Sequence, residues 1–297
     1  MLKTLGNFNN EIGLPLTVFR LTEDDEVAVL EMGISDFGEM DRLSKIAQPD
    51  ICVITNIGFC HLENLGTRDG ILKAKTEIFN HMNPDGIVIV NGDDDKLSTI
   101  SQVHGKRPLV FGISNKDGVY ADNIKSLGLD GTSFTIHGIK TSDNYSTFDL
   151  TVPVPGHHMV YNAMAAALVG SVLGLSSIEI ERGVKNLKTI AGRNNIIKEN
   201  GFTIIDDCYN ANPVSMKASL DVLDTAIGRK VAILGSMFEL GENEKQMHYD
   251  VGMYLGTKDI DVLITAGDLA AQIAAGTRAY ICLLYTSPSP RDPKTPR

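Results

Sequence analysis

Cysteine is scarce in this 297-residue chain, and no two of its four cysteines (Cys52, Cys60, Cys208, Cys282) stand in a CxxC spacing. That argues against a disulfide scaffold and against a zinc knuckle. Long apolar runs are missing too: none approaches the ~20 residues a membrane span needs. The opening MLKTLGNFNN has no apolar signal-peptide core. An excess of positive charge is also absent. Lys and Arg number 27 against 37 Asp and Glu, a net charge of −10. The chain therefore exerts no broad attraction on nucleic acid or anionic lipid, and any phosphate site must be local. No short internal repeat is visible. What remains is an ordinary globular composition, 43% hydrophobic and 22% charged, long enough for about two domains at ~150 residues each. These observations point to a cytoplasmic α/β protein with no membrane insertion and no nucleic-acid partner.

The ends differ from the middle. The segment CLLYTSPSPRDPKTPR (282–297) has four prolines, Pro288, Pro290, Pro293 and Pro296, and its Arg291, Lys294 and Arg297 outnumber Asp292. Closely spaced prolines remove backbone donors, and no apolar period is available for packing. The segment reads as a non-native tail and is set aside from the fold; a basic functional tail is the alternative. The other end opens directly into the polar Asn/Gly stretch LKTLGNFNNEIGLPLTVFRL. Both ends read as cut.

Between them, short β-branched runs alternate with helical patterns, the signature of parallel βαβ units. Val27–Glu31 is expected to be a buried strand, with a helix around Glu39–Ile46. Ile51–Thr55 is the next strand, and an amphipathic helix should run from Asp69 to His81, stopped by Asn83-Pro84-Asp85-Gly86. Ile87–Val90 and Leu109–Phe111 are two further strands. Residues 116–155 alternate apolar and polar positions and read as antiparallel strands. Two helices follow, Val160–Leu173 and one around Ile178–Leu187. A second unit begins near Gly192-Arg193, with strands at Phe202–Ile205, Val231–Leu234 and Val262–Thr265. Helices are expected at Val214–Leu223, from Met247 to Leu255, and after Gly267. Three strand–loop–helix repeats describe an open sheet, whose ligands bind beyond the carboxyl ends of the strands.

Polar residues gather at those ends. Glu31 closes VAVLE, Thr55-Asn56 closes ICVIT, His61 follows five residues later, and Lys75 lies on the next helix. A carboxylate and an imidazole can share a divalent cation, and Mg²⁺ takes few protein ligands, mostly oxygen. Singly, such a His is more often a hydrogen-bonded loop residue, and such a Lys a solvated one. Together they suggest metal-assisted nucleotide or phosphate chemistry. Asp206-Asp207 closes FTII; the pair suits a ribose hydroxyl or a metal, or equally an N-cap cluster for the helix near Pro213. Asn162, after Gly156-His157-His158, suits a purine edge or a helix-packing hydrogen bond.

At these residues the sequence resembles a known family. KTLGNFNNEIGLPLT (3–17), EMG (31–33), ITNIGFCHLENLG (54–66), AKTEIF (74–79), GHHMVYNA (156–163), DDCYNANPVSM (206–216) and AILGSMFELG (232–241) are similar to the ordered motifs of the Mur ligases. The resemblance covers residues 1 to about 280, and NNxIGLPLT with DDxYNANP resembles the members that add D-alanyl-D-alanine. It implies an α/β fold: a Mur-ligase-type central mononucleotide-binding domain over 1–191, then a truncated Rossmann-like C-terminal domain over 192–281. It implies an ATP-dependent, amide-bond-forming ligase of peptidoglycan precursor synthesis, monomeric and cytoplasmic, with UDP-MurNAc-tripeptide and D-Ala-D-Ala as substrates. ATP would phosphorylate the tripeptide carboxylate to an acyl phosphate, which the dipeptide amine attacks; Mg²⁺ would neutralise the phosphate charge.

By motif, the resemblance gives Glu31 one Mg²⁺ and His61 a second. Lys75 would be carbamylated to support the second ion, which requires a neutral amine and so a depressed pKa. Thr55 and Asn56 would line the phosphate–substrate side. Asn162 would contact adenine, with His158 preceding it; Arg193 would reach the phosphates and Asp207 the ribose. Tyr209, Asn210 and Asn212 would face the dipeptide or the nucleotide. The chain also departs from the family. Ser236 stands where an aspartate is usual, and Met159 where many members have Asn. The G-x-x-G-K-[ST] phosphate loop and the UDP-sugar domain are expected before residue 1, so the chain as written is expected to show negligible ligation. Two alternatives stay open: another Mur- or folylpolyglutamate-type amide ligase, or a non-catalytic nucleotide-binding remnant.

Overall fold

A computed structural model describes residues 1–277 and 284–287. Two compact units divide between Gly118 and Val119.

In the first unit, strand β1 (Leu2–Lys3) precedes helix α1 (Gly13–Val18) and strand β2 (Ala28–Val29), which pairs with β1 in parallel. Helix α2 (Glu39–Ala47), strand β3 (Ile51–Ile54), the short α3 (Leu62–Leu65) and α4 (Arg68–Thr76) follow. Strands β4 (Ile87–Asn91) and β5 (Leu109–Gly112) then complete a parallel β3-β4-β5 set. Val88, Ile89 and Val90 of β4 are buried on both faces, as a central parallel strand requires, while Ile51 and Val53 of β3 are half-buried on one face. Cys52, Ile54, Val88 and Val90 pack against Leu43, Ile71 and Phe79. Burial pushes the Cys52 thiol up to about 12, so it is an inert core residue.

Two expectations need correction here. The run Val27–Glu31 is not a buried strand: only Ala28 and Val29 pair, both exposed, because their ladder is the two-residue β1 and no layer covers them. The single helix expected over Asp69–His81 is α-helical to Thr76 and tightens to a 3₁₀ turn over Glu77–His81. Glu77 turns away to accept from Gly38 N–H through both carboxylate oxygens, and Phe79 goes into the core.

The second unit opens with strands β6 (Val119–Ser126), β7 (Thr132–His137) and β8 (Thr147–Val152), an antiparallel meander as expected for 116–155. Helix α5 (His158–Val172), rich in Ala, lays Val160, Met164 and Leu168 into a core with Phe134 and Leu150; α6 (Ser177–Lys185) follows behind a Ser176–Glu179 capping box. Strands β9 (Asn195–Glu199) and β10 (Phe202–Asp206) form an antiparallel hairpin. Helix α7 (Pro213–Asp224), strand β11 (Val231–Gly235), helix α8 (Glu244–Leu255), strand β12 (Val262–Ala266), helix α9 (Ala270–Thr277) and strand β13 (Leu284–Ser287) complete the order.

Strands β11, β12 and β13 are parallel neighbours. The run Phe202–Ile205, expected to be the first strand of that sheet, instead pairs with β9; Phe202 and Ile204 are exposed on it. Of the segment 282–297 set aside as a tail, Leu284–Ser287 pair with β12, and the rest lies outside the described residues. Among the described residues no helix is long and apolar enough to cross a membrane.

The loop after β11 is held by a buried histidine. His248 Nε2 accepts from Met237 N–H at 2.8 Å, so the ring carries its proton on Nδ1, which donates to the Glu244 carbonyl at 2.6 Å. Burial lowers the His248 pKa below its ordinary value. The unfolded chain binds this proton near the ordinary pKa of ~6.5, while the fold excludes it. The contribution is therefore complete above that value and lost as pH falls through it towards the depressed folded value. Chemical denaturation of the chain should show a midpoint that drops below pH ~6.5. His248→Gln, which keeps an acceptor for Met237 and cannot titrate, should flatten that dependence; an equal slope in both proteins would contradict it.

Candidate functional site

In the first unit the site residues are set by what docks around the carboxyl end of β3. Asn56 follows the strand, and its carbonyl accepts from Lys75 Nζ at 3.0 Å. This contact joins two of the residues that sequence reading grouped at the strand end. The next residue, Ile57, donates its N–H to Asp94 Oδ2 at 2.8 Å, and its carbonyl accepts from Arg68 Nε at 3.0 Å. Arg68 also forks onto Asp95, at 2.9 and 2.5 Å, a two-pronged ion pair that fixes the loop. Sequence reading missed Arg68, Asp94 and Asp95. The acidic run Asp93–Asp95 at the end of β4 and an arginine two turns before Lys75 were the available signals.

Glu31 is held from the amino-terminal loop. Asn9 Nδ2 donates to Glu31 Oε1 at 3.0 Å, the Thr4 hydroxyl accepts from Glu31 N–H, and Gly33 N–H donates to the Asn9 carbonyl at 2.8 Å. A Cβ on Gly33 would stand 2.9 Å from Asn9 Nδ2, so a side chain there would push Asn9 off Glu31. Thus the NNEIG and EMG motifs form one piece of structure, and Asn9 is a further residue that sequence reading missed. His61 sits at the start of α3 in a left-handed conformation (φ 56), and its carbonyl accepts from Asn64 and Leu65.

Metal fit follows from the donors. Glu31 is exposed and has one oxygen engaged by Asn9, leaving the other for a hard cation. Mg²⁺ keeps several waters and needs only one or two carboxylates, so this donor set suits it. Among the described residues no three His, Cys, Asp or Glu converge as a preformed metal cluster.

In the second unit, the turn Gly192–Asn194 docks onto the strand end Asp206–Tyr209. Gly192 (φ 76) donates its N–H to Asp206 Oδ2 at 2.8 Å, and its carbonyl accepts from Tyr209 N–H at 3.1 Å. Asn194 N–H donates to Asp207 Oδ1 at 3.0 Å, and the Ser219 hydroxyl donates to Asp207 Oδ2. The Arg193 guanidinium lies 4.2 Å over the Tyr209 ring, a cation–π contact that orients an exposed arginine. Arg193, Asp207 and Tyr209 are therefore one cluster. Asp206 and Asp207 do not cap α7, one of the two readings sequence left open. Asn212 is the cap: its Oδ1 accepts from Val214 and Ser215 N–H, and Ser215 returns the bond. Asn212→Ala should cost about 1 kcal/mol in denaturant titration. Asn210 Oδ1 accepts from Ala211 N–H.

Asn162 and His158 lie one turn apart on α5, on one face. Asn162 is exposed, with its amide nitrogen 3.5 Å from the Met159 sulfur, which leaves its carboxamide edge available to a ligand. Burial lowers the His158 pKa, against the opposing charge of Asp207, so a neutral imidazole is favoured. Ser236, where the resemblance would put an aspartate, accepts from Ala270 N–H at 3.2 Å and so supports the start of α9.

Parallel strands with polar residues gathered beyond their carboxyl ends define an α/β protein of the mononucleotide-binding class. The comparisons narrow this. The Mur ligase middle domain family matches residues 1–170, and the Mur ligase, glutamate ligase domain family matches residues 192–287. The chain belongs to the Mur ligase family. It is 42% identical over 277 residues to the UDP-N-acetylmuramoyl-tripeptide--D-alanyl-D-alanine ligase of Bacillus subtilis, covering 92% of this chain and 58% of that protein. The Escherichia coli ligase of the same name is 33% identical over 279 residues, 93% of this chain and 60% of that one. Among solved structures, MurF from Acinetobacter baumannii aligns with a TM-score of 0.86 and 34% identity, covering 96% of this chain and 61% of that one. MurF ligase from Thermotoga maritima, solved in complex with ADP, aligns at 0.80 with 28% identity, covering 97% and 69%. The chain thus spans a little under two thirds of the curated relatives it matches.

Proposed function

We propose that this chain carries the central and C-terminal parts, 1–191 and 192–281, of an ATP-dependent ligase that joins D-alanyl-D-alanine to UDP-MurNAc-tripeptide. The observation that carries the reading is the 42% identity, sustained over 277 residues, to a relative named for that reaction. The physics suits the residues present. A carboxylate is a poor electrophile; moving the γ-phosphoryl of ATP onto its oxygen creates an acyl phosphate with a good leaving group. The dipeptide amine then adds to the carbonyl carbon, and the tetrahedral intermediate expels phosphate.

In this reading Arg193, already oriented on Tyr209, forks onto the nucleotide phosphates. Asp207 keeps free lone pairs for the ribose after serving Asn194 and Ser219. Asn162 offers its amide to adenine, with neutral His158 beside it. Glu31 and His61 hold Mg²⁺, with Lys75 as a carbamate supporting the second ion; when bound, the metal neutralises phosphate charge. Thr55 and Asn56 face the reacting carboxylate, and Tyr209 and Asn210 face the incoming dipeptide or the nucleotide. Asn212 keeps only its amide nitrogen for such a role, its oxygen being committed to the cap.

The test is a chimera in which this chain replaces the matching portion of the Bacillus subtilis ligase. ADP release should require UDP-MurNAc-tripeptide and D-Ala-D-Ala together. Equal release with single amino acids or glutamate would favour another amide ligase of the family. Nucleotide binding without acceptor-dependent turnover would favour a binding remnant.

A further inference from the structure

One peptide group lies between Lys75 and a buried carboxylate. The Asn56 carbonyl, which accepts from Lys75 Nζ at 3.0 Å, and the Ile57 N–H, which donates to Asp94 Oδ2 at 2.8 Å, belong to the same peptide bond. That bond is planar and trans, so its C=O and N–H point in opposite directions, and fixing one end aims the other. Asp94 is placed to do the fixing. Its side chain is 8% exposed, and its second oxygen, Oδ1, accepts from the Lys96 and Leu97 N–H groups at 2.9 Å each. Ile57 is buried in the core with Ile71 and Leu97, while Asn56 stays exposed. Arg68 holds the next carbonyl, that of Ile57, and its guanidinium lies 5.3 Å over the Phe59 ring.

The carboxylate and the lysine therefore act on one dipole from its two ends. A negative acceptor on the N–H strengthens the carbonyl as an acceptor, and a donor on the carbonyl strengthens the N–H in turn. We infer that Asp94 is a positioning residue for Lys75, acting through the Asn56–Ile57 peptide, with Arg68 bracing the same loop from Ile57 to Phe59. Asp94 fixes where the Asn56 carbonyl points, and that carbonyl fixes where Lys75 Nζ stands. The bond is open to Lys75 as an amine and as a carbamate, since both keep an N–H. The effect on turnover rests on the ligase reading; the coupling between the two side chains does not.

Two variants test this. Asp94→Asn is nearly isosteric: its one oxygen serves the Lys96 and Leu97 N–H groups, which turns its amide nitrogen onto the Ile57 N–H, donor against donor. Lys75→Met keeps the stem and removes the donor. In the whole chain, Asp94→Asn should move the Ile57 amide proton upfield and speed its exchange about tenfold. Lys75→Met should move the same resonance upfield, although position 75 bonds only to the carbonyl side. An Ile57 amide that ignores Lys75→Met would overturn the coupling. In the chimera, Asp94→Asn should lower acceptor-dependent ADP release about tenfold with KM for ATP unchanged, and that loss should vanish in a Lys75→Met background. A loss that persists there, or an Asp94→Asn chimera of full activity, would overturn the inference and leave the ligase reading intact. A parent chimera with no turnover would overturn the ligase reading instead, and the Ile57 amide would then decide alone whether Asp94 positions Lys75.

Discussion

Replacing Lys75 by Ala in the chimera should lower acceptor-dependent ADP release by about 10²–10³-fold, the usual cost of removing a preorganised charged group from a phosphoryl-transfer site. The side chain reaches back from α4 to the Asn56 carbonyl at the end of β3, which puts its terminal nitrogen at the strand end where the ligand is expected. Lys75→Arg separates the two accounts of its role. Arginine retains a positive charge and a donor for the Asn56 carbonyl, but cannot take up CO₂. If the residue works as a carbamate, the Arg variant should be as impaired as the Ala variant. The native protein should then show a carbamate resonance after incubation with ¹³C-bicarbonate. An Arg variant near full activity would show that positive charge suffices. ADP affinity should change little in either variant, because Asn162, Arg193 and Asp207 are given the nucleotide contacts.

Gly252→Leu should destabilise the C-terminal part by about 3 kcal/mol or more. A Cβ on Gly252 would stand 2.1 Å from the Ile273 carbonyl oxygen, and one on Gly276 would stand 2.3 Å from that of Tyr249. Both obstacles are backbone, so helices α8 and α9 would have to separate. Thr277, whose hydroxyl donates to the Gly252 and Ile273 carbonyls, would lose its place as well. The separation would open the core of Leu240, Val251, Leu255, Ile273 and Ala274. Gly183 gives the contrast: it lies inside α6, and nothing stands within 4 Å of a Cβ there. Gly183→Ala should therefore stabilise by about 0.5–1 kcal/mol. Urea titrations of both variants check the pair, and similar midpoints would contradict the packing account.

The parts of this fold that could be read from sequence were those governed by local pattern. The β-branched runs at Ile51–Ile54 and Ile87–Asn91 are buried parallel strands, and the Ala-rich run is α5. Val27–Glu31 has the same composition but not the same neighbours, and burial is decided by neighbours. The hairpin of β9 and β10 was missed although its signal was present. Asn200-Gly201, both at positive φ (50 and 78), form the two-residue turn that Asn-Gly favours, with Glu199 opposite Phe202. The site divides in the same way. Motif residues stood out by position, as Glu31 did at a strand end, or by resemblance, as Lys75 and Arg193 did. Asn9, Arg68 and Asp94, which hold their surroundings in place, act across 11 to 37 residues of chain and become visible only when the fold brings them together.

The central claim is that this chain belongs to a machine that activates a carboxylate through an acyl phosphate. Supplying the chimera with tripeptide substrate labelled with ¹⁸O in its terminal carboxylate tests it most directly. Mass spectrometry of the released phosphate should find one ¹⁸O transferred per amide formed. Phosphate free of label, with amide still forming, would mean that the carboxylate oxygen never bonds to phosphorus and would contradict the account.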